Sequence, residues 1–230
     1  MENIVIGIEG LVGSGKTSIC KKMLEYVPNS IILHGGNLYR GIIYALMNLN
    51  KEIDLKNLKS NISNIDIKDL MDKLKVEFRI ENRESIIYLD GIKIDENILQ
   101  NKENSIAVSI AGGNADNKHF YVFARDLIDK YKTMYNVIVS GRDLMKIYPD
   151  LDYHFFITAS LEERVKRKMK QYGDNNNYEQ IKQNIVKRDE LQDEAGYYKI
   201  YDNTIKVDVT DCTTIEDSTL KVMKYLDLKN

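Results

Sequence analysis

Residues 10–17 read Gly-Leu-Val-Gly-Ser-Gly-Lys-Thr, and this stretch decides the fold. It matches the pattern G-x-x-x-x-G-K-S/T, a loop whose backbone N–H groups surround a polyphosphate. The spacing predicts that Lys16 reaches the β- and γ-phosphates and that the Thr17 hydroxyl ligates Mg²⁺. The residues predicted to bind the triphosphate are Gly10, Leu11, Val12, Gly13, Ser14, Gly15, Lys16, Thr17 and Ser18.

The segments on both sides of this P-loop occur in the order that the loop requires. Residues 4–8 form a short apolar run, which is typical of a buried parallel strand, and residues 17–26 have a helical pattern. A helix that begins at the loop adds its own attraction for anions. The sequence therefore predicts a strand, a loop and a helix that together bind ATP or another nucleoside triphosphate.

The composition narrows the class of protein and its partners. The 230 residues suit one α/β domain, and 43% hydrophobic with 30% charged residues is typical of a folded chain. A net charge of −2 gives no general reason to bind nucleic acid or an anionic membrane, and no apolar run is long enough to span a bilayer. Two cysteines, Cys20 and Cys212, are too few for a disulfide framework or a metal cluster. We expect a cytoplasmic monomer with small-molecule substrates and without nucleic-acid or membrane partners.

Five short apolar runs are candidate core strands, and helical patterns separate them. This alternation predicts an α/β fold with a parallel sheet built from strand–helix–strand units. Between residues 50 and 104 the periodicity changes, and Asp90-Gly91 is a hairpin turn signal, which indicates an inserted helix-plus-strand subdomain. Residues 173–177 are rich in glycine and asparagine and predict a mobile loop, a candidate lid. The candidate strands are residues 4–8, 30–33, 136–139, 153–157 and 204–209.

Further segments match one family in chain order. Residues 36–40 read Gly-Asn-Leu-Tyr-Arg, 141–144 read Gly-Arg-Asp-Leu and 187–189 read Lys-Arg-Asp. With these segments and the P-loop, the chain resembles the cytidylate kinases, bacterial-type nucleoside monophosphate kinases, over nearly its whole length. The resemblance implies transfer of the ATP γ-phosphoryl group to CMP or dCMP with Mg²⁺. It also implies a three-layer P-loop sandwich with a five-stranded parallel sheet, in which residues 1–230 form one domain, 50–104 the NMP-binding insert and 164–188 the lid.

Phosphoryl transfer between two anions needs fixed cations around both phosphates. Arginine suits the acceptor phosphate because its planar fork binds two oxygens at once. Arg40 and Arg142 each follow a predicted strand, so both are expected at the crevice where the P-loop opens, and by resemblance both hold the acceptor α-phosphate. Asp143 resembles the family's contact to the cytosine amino group, although pairing with Arg142 or capping the next helix would also explain it. The acceptor residues that the resemblance implies are Gly36, Tyr39, Arg40, Arg142, Asp143 and Arg188.

Basic residues are also expected at the lid. Arg164, Arg167 and Lys168 share one face of a predicted helix. Together with Arg188 they are candidates to close over the transferring phosphoryl group, and the alternative is a solvated basic helix face. The predicted catalytic residues are Lys16, Arg164 and Arg188.

The chain departs from the family pattern around the base and the metal. Ser140 stands where the family usually has an acidic residue that supports Mg²⁺, which leaves Thr17 and the phosphates as ligands and Glu9 as an outer-shell candidate. His34 replaces a common aspartate beside the acceptor crevice, and Arg125 is a stand-in candidate for an arginine near the base. Other positions that depart from the family are Gly113, Gln192 and Ala195.

Two other functions stay open at this point. The departures favour a diverged kinase of the same fold that acts on another monophosphate or on a small metabolite. The third alternative is a GTP-dependent switch or a non-catalytic nucleotide-binding module. Residues 101–104 argue against the switch, because they break the guanine-reading pattern Asn-Lys-x-Asp at its fourth position.

Overall fold

One eight-stranded sheet forms the centre of the structure, with the strand order β3-β4-β2-β6-β1-β7-β8 and with β5 paired to β4. The computed structural model describes residues 2–49, 67–73, 75–99, 101, 104, 107, 118–172 and 177–227. The strands are β1 (Val5–Gly10), β2 (Ser30–His34), β3 (Val76–Glu81), β4 (Glu84–Leu89), β5 (Ile92–Lys93), β6 (Asn136–Ser140), β7 (Tyr153–Thr158) and β8 (Thr204–Asp208).

The predicted α/β fold class is confirmed, but the predicted number of strands is wrong. The five predicted strands are present as β1, β2, β6, β7 and β8, and they pair in parallel. The sheet has eight strands rather than five because β4 of the insert pairs in parallel with β2, at Ile32 and Glu84, while β3 and β5 flank β4 in antiparallel register. The insert therefore extends the sheet instead of standing apart from it.

Helices cover both faces of the sheet, as a three-layer sandwich requires. Neighbouring strand residues point to opposite faces, and β1 shows this: Ile6 packs in a buried cluster with Ile19 and Val222, whereas Val5 packs with Leu127 and its neighbours. The described helices are α1 (Lys16–Met23), α2 (Gly35–Leu49), α3 (Ile67–Lys73), α4 (Glu96–Leu99), α5 (Lys118–Lys132), α6 (Leu144–Ile147), α7 (Leu161–Tyr172), α8 (Tyr178–Glu194) and α9 (Ile215–Met223). None of those helices combines the length and the apolar character that crossing a membrane would need.

The insert and the lid lie only partly within the described residues. The predicted hairpin turn at Asp90-Gly91 is confirmed, since both residues have positive φ and join β4 to β5. Residues 50–66, most of residues 100–117 and residues 173–176 lie outside the described part, so most of the predicted lid loop does too. Asn177, at the end of that loop, caps α8 by accepting hydrogen bonds from the backbone N–H groups of residues 179 and 180. The domain boundaries stay a prediction.

Arg83 fastens the insert to the core of the sheet. It lies in the turn between β3 and β4 with φ 67°, in the left-handed region. Its guanidinium donates to the carbonyl oxygens of Leu24 (2.7 Å), Val27 (3.2 Å) and Ser30 (2.8 Å), and to the Ser30 hydroxyl (2.7 Å). One side chain therefore satisfies several acceptors of the segment that leads into β2.

We expect Arg83→Met to lower the free energy of unfolding by about 2 kcal/mol, because those acceptors lose a charged donor. Arg79→Met is the matched control: Arg79 is exposed and pairs with Glu77 at 2.7 Å, so its loss is expected to cost less than about 0.5 kcal/mol. Urea unfolding of the two variants measures the difference. Equal midpoints would show that Arg83 does not anchor the insert.

Candidate active site

The P-loop runs from the end of β1 to the start of α1 and depends on close backbone contacts. Gly10 has φ 142°, and a Cβ placed on it would lie 2.1 Å from the carbonyl oxygen of Ile157 in β7, so only glycine fits. The loop then doubles back through Gly13 and Gly15, both with positive φ. Ile19 donates to the Gly15 carbonyl (2.9 Å), which begins α1 directly behind the loop.

Lys16 is folded onto its own loop. Its Nζ donates to the carbonyl oxygens of Gly10 (2.9 Å) and Leu11 (2.7 Å). Burial, together with the charges of Arg142 and Arg188, lowers the pKa of Lys16 to about 7. Lys16 is therefore held in the loop interior, in an environment that disfavours its positive charge.

Three arginines from separate segments form an electrostatic group with this lysine: Arg142 and Arg188 act on Lys16, and both also act on Arg40. Burial lowers the pKa of Arg40, on α2, and the charges of Arg188 and Arg142 add to the effect. Burial likewise lowers the pKa of Arg142, at the end of β6, and Arg188 contributes. Arg188, on α8, also lines a cavity of about 180 Å³ beside Val12 of the P-loop. We call these four residues the cation cluster: Lys16, Arg40, Arg142 and Arg188.

The cation cluster has the charge that two facing phosphates need. Each member acts electrostatically on at least two of the others, although they come from four different segments. The Arg40 Nε is buried and, among the described residues, has no hydrogen-bond partner. A buried donor of this kind is costly unless a ligand satisfies it. The arrangement can therefore hold anionic groups on both sides of one crevice.

Glu9 ties the P-loop to the segment that carries Arg142. Its Oε1 accepts the backbone N–H of Leu144 (2.7 Å), and its Oε2 lies 3.0 Å from His154 Nε2. His154 is buried and its Nδ1 lies 2.9 Å from the Thr204 hydroxyl. Both Glu9 oxygens thus contact the protein, and neither lies open for the outer-shell magnesium role.

Asp143 follows Arg142 and is almost completely buried. It lies in the left-handed region (φ 57°), and its Oδ2 accepts hydrogen bonds from the Tyr121 hydroxyl (2.5 Å) and from Lys146 Nζ (3.0 Å). Neither structural alternative describes it: among the described residues no Asp143–Arg142 pair forms, and Asp143 precedes α6 without a side-chain capping bond. The carboxylate is therefore held by two residues from α5 and α6.

The arginines of α7 bind the outside of the P-loop. Arg164 is buried and donates to the carbonyl oxygens of Val12 and Ala159 (3.0 Å each) and to Asp189. Asp189 in turn accepts the Val12 N–H (3.1 Å), and Arg167 donates to the Ser14 carbonyl (3.1 Å). In this conformation the predicted lid arginines brace the loop, and the catalytic role of Arg164 stays a prediction.

The remaining residues that the sequence predicted for the site differ in their contacts and exposure. A Cβ on Gly36 would lie 3.3 Å from Arg40 Nη1, and the Tyr39 ring packs 4.5 Å from that of Phe120. Thr17 is exposed, as is Ser18 in the first turn of α1. Gly113 lies outside the described residues.

Positions that depart from the family pattern also have definite contacts. Ser140 lies near the thiol of Cys20, and His34 Nε2 lies 2.7 Å from Glu84 Oε2 on the insert strand β4. The side-chain amide of Gln192 lies 2.7 Å from the Tyr198 hydroxyl, and Ala195 ends α8. Arg125 is exposed and donates to the Ile147 carbonyl (3.0 Å) instead of reaching Asp143.

Sequence reasoning missed the tyrosines that surround the acceptor residues. Tyr121 contacts Asp143, while Tyr198 donates to Asp189 (2.6 Å). Tyr197 lies close enough to Asp143 and Arg142 to interact with both electrostatically. The Tyr-Tyr pair directly after α8, in a chain with 15 tyrosines and no tryptophan, was the available signal.

Comparison with known proteins assigns the family. The family model of cytidylate kinase matches residues 6–227. A cytidylate kinase of Clostridioides difficile strain 630 is 29% identical, covering 99% of this chain and 100% of that protein. A cytidylate kinase of Bacillus cereus strain ATCC 10987 is 27% identical over 98% and 96% of the two chains. An uncharacterized protein from Eubacterium ventriosum shares the fold, with a TM-score of 0.50 at 16% identity and 98% coverage of both chains.

The family model matches nearly the whole chain, and this match assigns the family. The chain belongs to the cytidylate kinase family and is an ATP-dependent phosphotransferase of the nucleoside monophosphate kinase type.

Proposed function

We propose that this enzyme transfers the γ-phosphoryl group of ATP to CMP or dCMP. The observation that carries the proposal is the cation cluster, which joins the P-loop lysine to three arginines from α2, β6 and α8. A donor and an acceptor phosphate repel each other, and fixed cations between them remove that repulsion in the transition state. The monomeric state and the cytoplasmic location expected from the sequence stay predictions.

On the donor side, the loop N–H groups and Lys16 would hold the ATP phosphates. Lys16 contacts loop carbonyls at 2.7 and 2.9 Å, so it is already positioned at the loop and exchanges these neutral acceptors for phosphate oxygens. Phosphates also supply the negative charge that this buried site lacks. Arg164 and Asp189 bind both sides of the Val12 peptide and would keep the loop in shape during this exchange.

Mg²⁺ would be held by the Thr17 hydroxyl and by the nucleotide itself. Within the described part of the chain, no group of three or more His, Cys, Asp or Glu side chains is arranged to hold a metal. Glu9 is engaged with the Leu144 N–H and with His154. One hydroxyl oxygen plus phosphate oxygens is a donor set that suits Mg²⁺, which retains water and takes few protein ligands. When bound, the ion would neutralise charge on the β- and γ-phosphates.

On the acceptor side, Arg40, Arg142 and Arg188 would grip the α-phosphate of the monophosphate. Arginine remains charged even where burial lowers its pKa, so the cluster keeps its charge at neutral pH. Asp143 would then accept a hydrogen bond from the exocyclic amine of cytosine. Adenine also carries such an amine, so AMP is the alternative acceptor that this carboxylate favours.

A coupled ADP-release assay across nucleoside monophosphates tests the proposal. We expect CMP and dCMP to give the highest kcat/KM, with UMP and GMP at least about tenfold lower because they present a carbonyl to Asp143. ATP hydrolysis without acceptor should be slow by comparison. A clear preference for AMP, or turnover only with a small metabolite, would contradict the CMP assignment while leaving the phosphotransferase class intact.

Removing the arginines proposed to bind the acceptor phosphate should affect the KM for CMP much more than the KM for ATP. We expect Arg40→Ala and Arg142→Ala each to raise the KM for CMP by about 10- to 100-fold, the value of one charge-assisted contact, while the KM for ATP changes by less than about threefold. Arg125→Ala is the matched control, since Arg125 is exposed and bonds only the Ile147 carbonyl in the described structure. Steady-state kinetics with each substrate varied measures the split. Wild-type acceptor kinetics in both variants would place the acceptor phosphate elsewhere.

The lowered pKa of Lys16 predicts proton uptake when ATP binds. With a pKa of about 7 the free enzyme loses this proton as the pH rises through neutrality, whereas bound phosphates favour the charged form. At pH 7.5 binding should therefore take up roughly 0.7 proton, and ATP affinity should fall from pH 6 to 8. Calorimetry in two buffers of different ionisation enthalpy measures the uptake. Lys16→Arg stays charged throughout this range, so the same uptake in that variant would rule out Lys16 as the source.

A further inference from the structure

We propose that Tyr121 is a specificity-determining residue of the acceptor site, and that its hydroxyl makes the edge of Asp143 on the Tyr121 side a hydrogen-bond acceptor. Such an edge favours bases with an exocyclic amine over bases with a carbonyl at the same position. The inference rests on the proposed acceptor role of Asp143 and adds a residue that the sequence did not indicate.

Tyr121 contacts the carboxylate of Asp143, the group proposed to bind the amine of the base. The Tyr121 hydroxyl lies 2.5 Å from Asp143 Oδ2, and Lys146 Nζ reaches the same oxygen at 3.0 Å. Asp143 is only 7% exposed, so solvent contributes little to holding it. Among the described residues, these two side chains are the donors to the Asp143 carboxylate, and both use Oδ2. The other oxygen, Oδ1, keeps its capacity to accept.

The proton of the Tyr121 hydroxyl is committed to Asp143. Burial, followed by the hydrogen bond and the charge of Asp143, raises the pKa of Tyr121 well above its ordinary value, so the hydroxyl stays protonated. A tyrosine hydroxyl has one proton and two lone pairs, and here the proton points to the carboxylate. What it presents to a third group is therefore a lone pair. The Lys146 ammonium offsets the charge of the carboxylate without changing this pattern on the Tyr121 side.

Tyr121 lies among residues of the acceptor site rather than behind them. Tyr39 and Tyr197 both act electrostatically on its hydroxyl, and Tyr39 directly precedes Arg40 of the cation cluster. The Tyr39 ring also packs against Phe120, the residue before Tyr121 on α5. The hydroxyl is therefore near both the phosphate end and the base end of the proposed site.

An edge that accepts hydrogen bonds distinguishes bases by whether they present a donor or another acceptor to it. The amine of cytosine or adenine donates to Asp143 Oδ1, on the carboxylate that Tyr121 holds through Oδ2, whereas uracil or guanine would place a carbonyl oxygen against the carboxylate. A site built to accept a hydrogen bond rejects a partner that cannot donate one, because its buried acceptors are then left unpaired.

The test is Tyr121→Phe, which keeps the ring and removes only the hydroxyl. We expect the ratio of kcat/KM for CMP to that for UMP to fall about tenfold, the value of one hydrogen bond to a charged group, while the KM for ATP is unchanged. Tyr148→Phe is the matched control. The Tyr148 hydroxyl donates to Asp129 Oδ1 at 2.8 Å, so the control removes an equivalent tyrosine–aspartate bond between the same part of the chain and α5. Its CMP-to-UMP ratio should equal that of the wild type.

A double variant tests whether Tyr121 acts through Asp143. In an Asp143→Asn background the further change Tyr121→Phe should alter the ratio by less than about twofold, because the charged partner is already gone. The inference is overturned if Tyr121→Phe keeps the wild-type ratio, or if its full effect persists beside Asp143→Asn. Should the wild type prefer AMP, the CMP assignment fails separately, and the ratio of AMP to GMP then replaces CMP to UMP as the readout for Tyr121.

Discussion

Four positive charges in one crevice are the constraint on which the rest of the structure depends. Burial and mutual repulsion disfavour the cation cluster in the free protein, as the lowered pKa values of Lys16, Arg40 and Arg142 show. A folded chain tolerates such a cost only where the surrounding structure fixes the groups in place. Two phosphates reverse the balance, because each brings the negative charge that the site lacks. The site is unfavourable alone and favourable when filled, which is what tight binding of anions in a closed crevice requires.

The fold supplies two carboxylates that hold these cations without neutralising them. Glu9 binds the Leu144 N–H and so fixes the segment of Arg142 relative to β1 and the P-loop. Asp189 binds the Val12 N–H and Arg164, which fixes α8, the helix of Arg188, relative to the same loop. Both carboxylates therefore fix the positions of these segments relative to the P-loop. The donor and acceptor phosphates must meet in line. Loss of the Glu9 or the Asp189 contact would therefore misplace the cations that hold one phosphate relative to those that hold the other.

The sequence predicted what local patterns specify and missed what only pairing across the fold decides. The P-loop and the five core strands carry strong local signals, whereas the extension of the sheet depends on one residue pair between β2 and β4, Ile32 with Glu84, which no local pattern reveals. The same holds for the base site. Tyr121 and Arg125 lie one helical turn apart on α5 and both contact the segment around α6, Tyr121 at Asp143 and Arg125 at Ile147.

Charge explains why a tyrosine suits the position beside Asp143. A guanidinium at that point would add a further positive charge next to the cation cluster, where Arg142 is already repelled by Arg188. A phenol donates the same hydrogen bond to the carboxylate and adds no charge. Lys146 supplies the counter-charge from the solvent side, since its side chain is half exposed and solvent screens it from the arginines. In the proposed acceptor site the carboxylate is thus held firmly while the positive potential is directed to the phosphates, which would leave recognition of the base to hydrogen-bond polarity instead of charge.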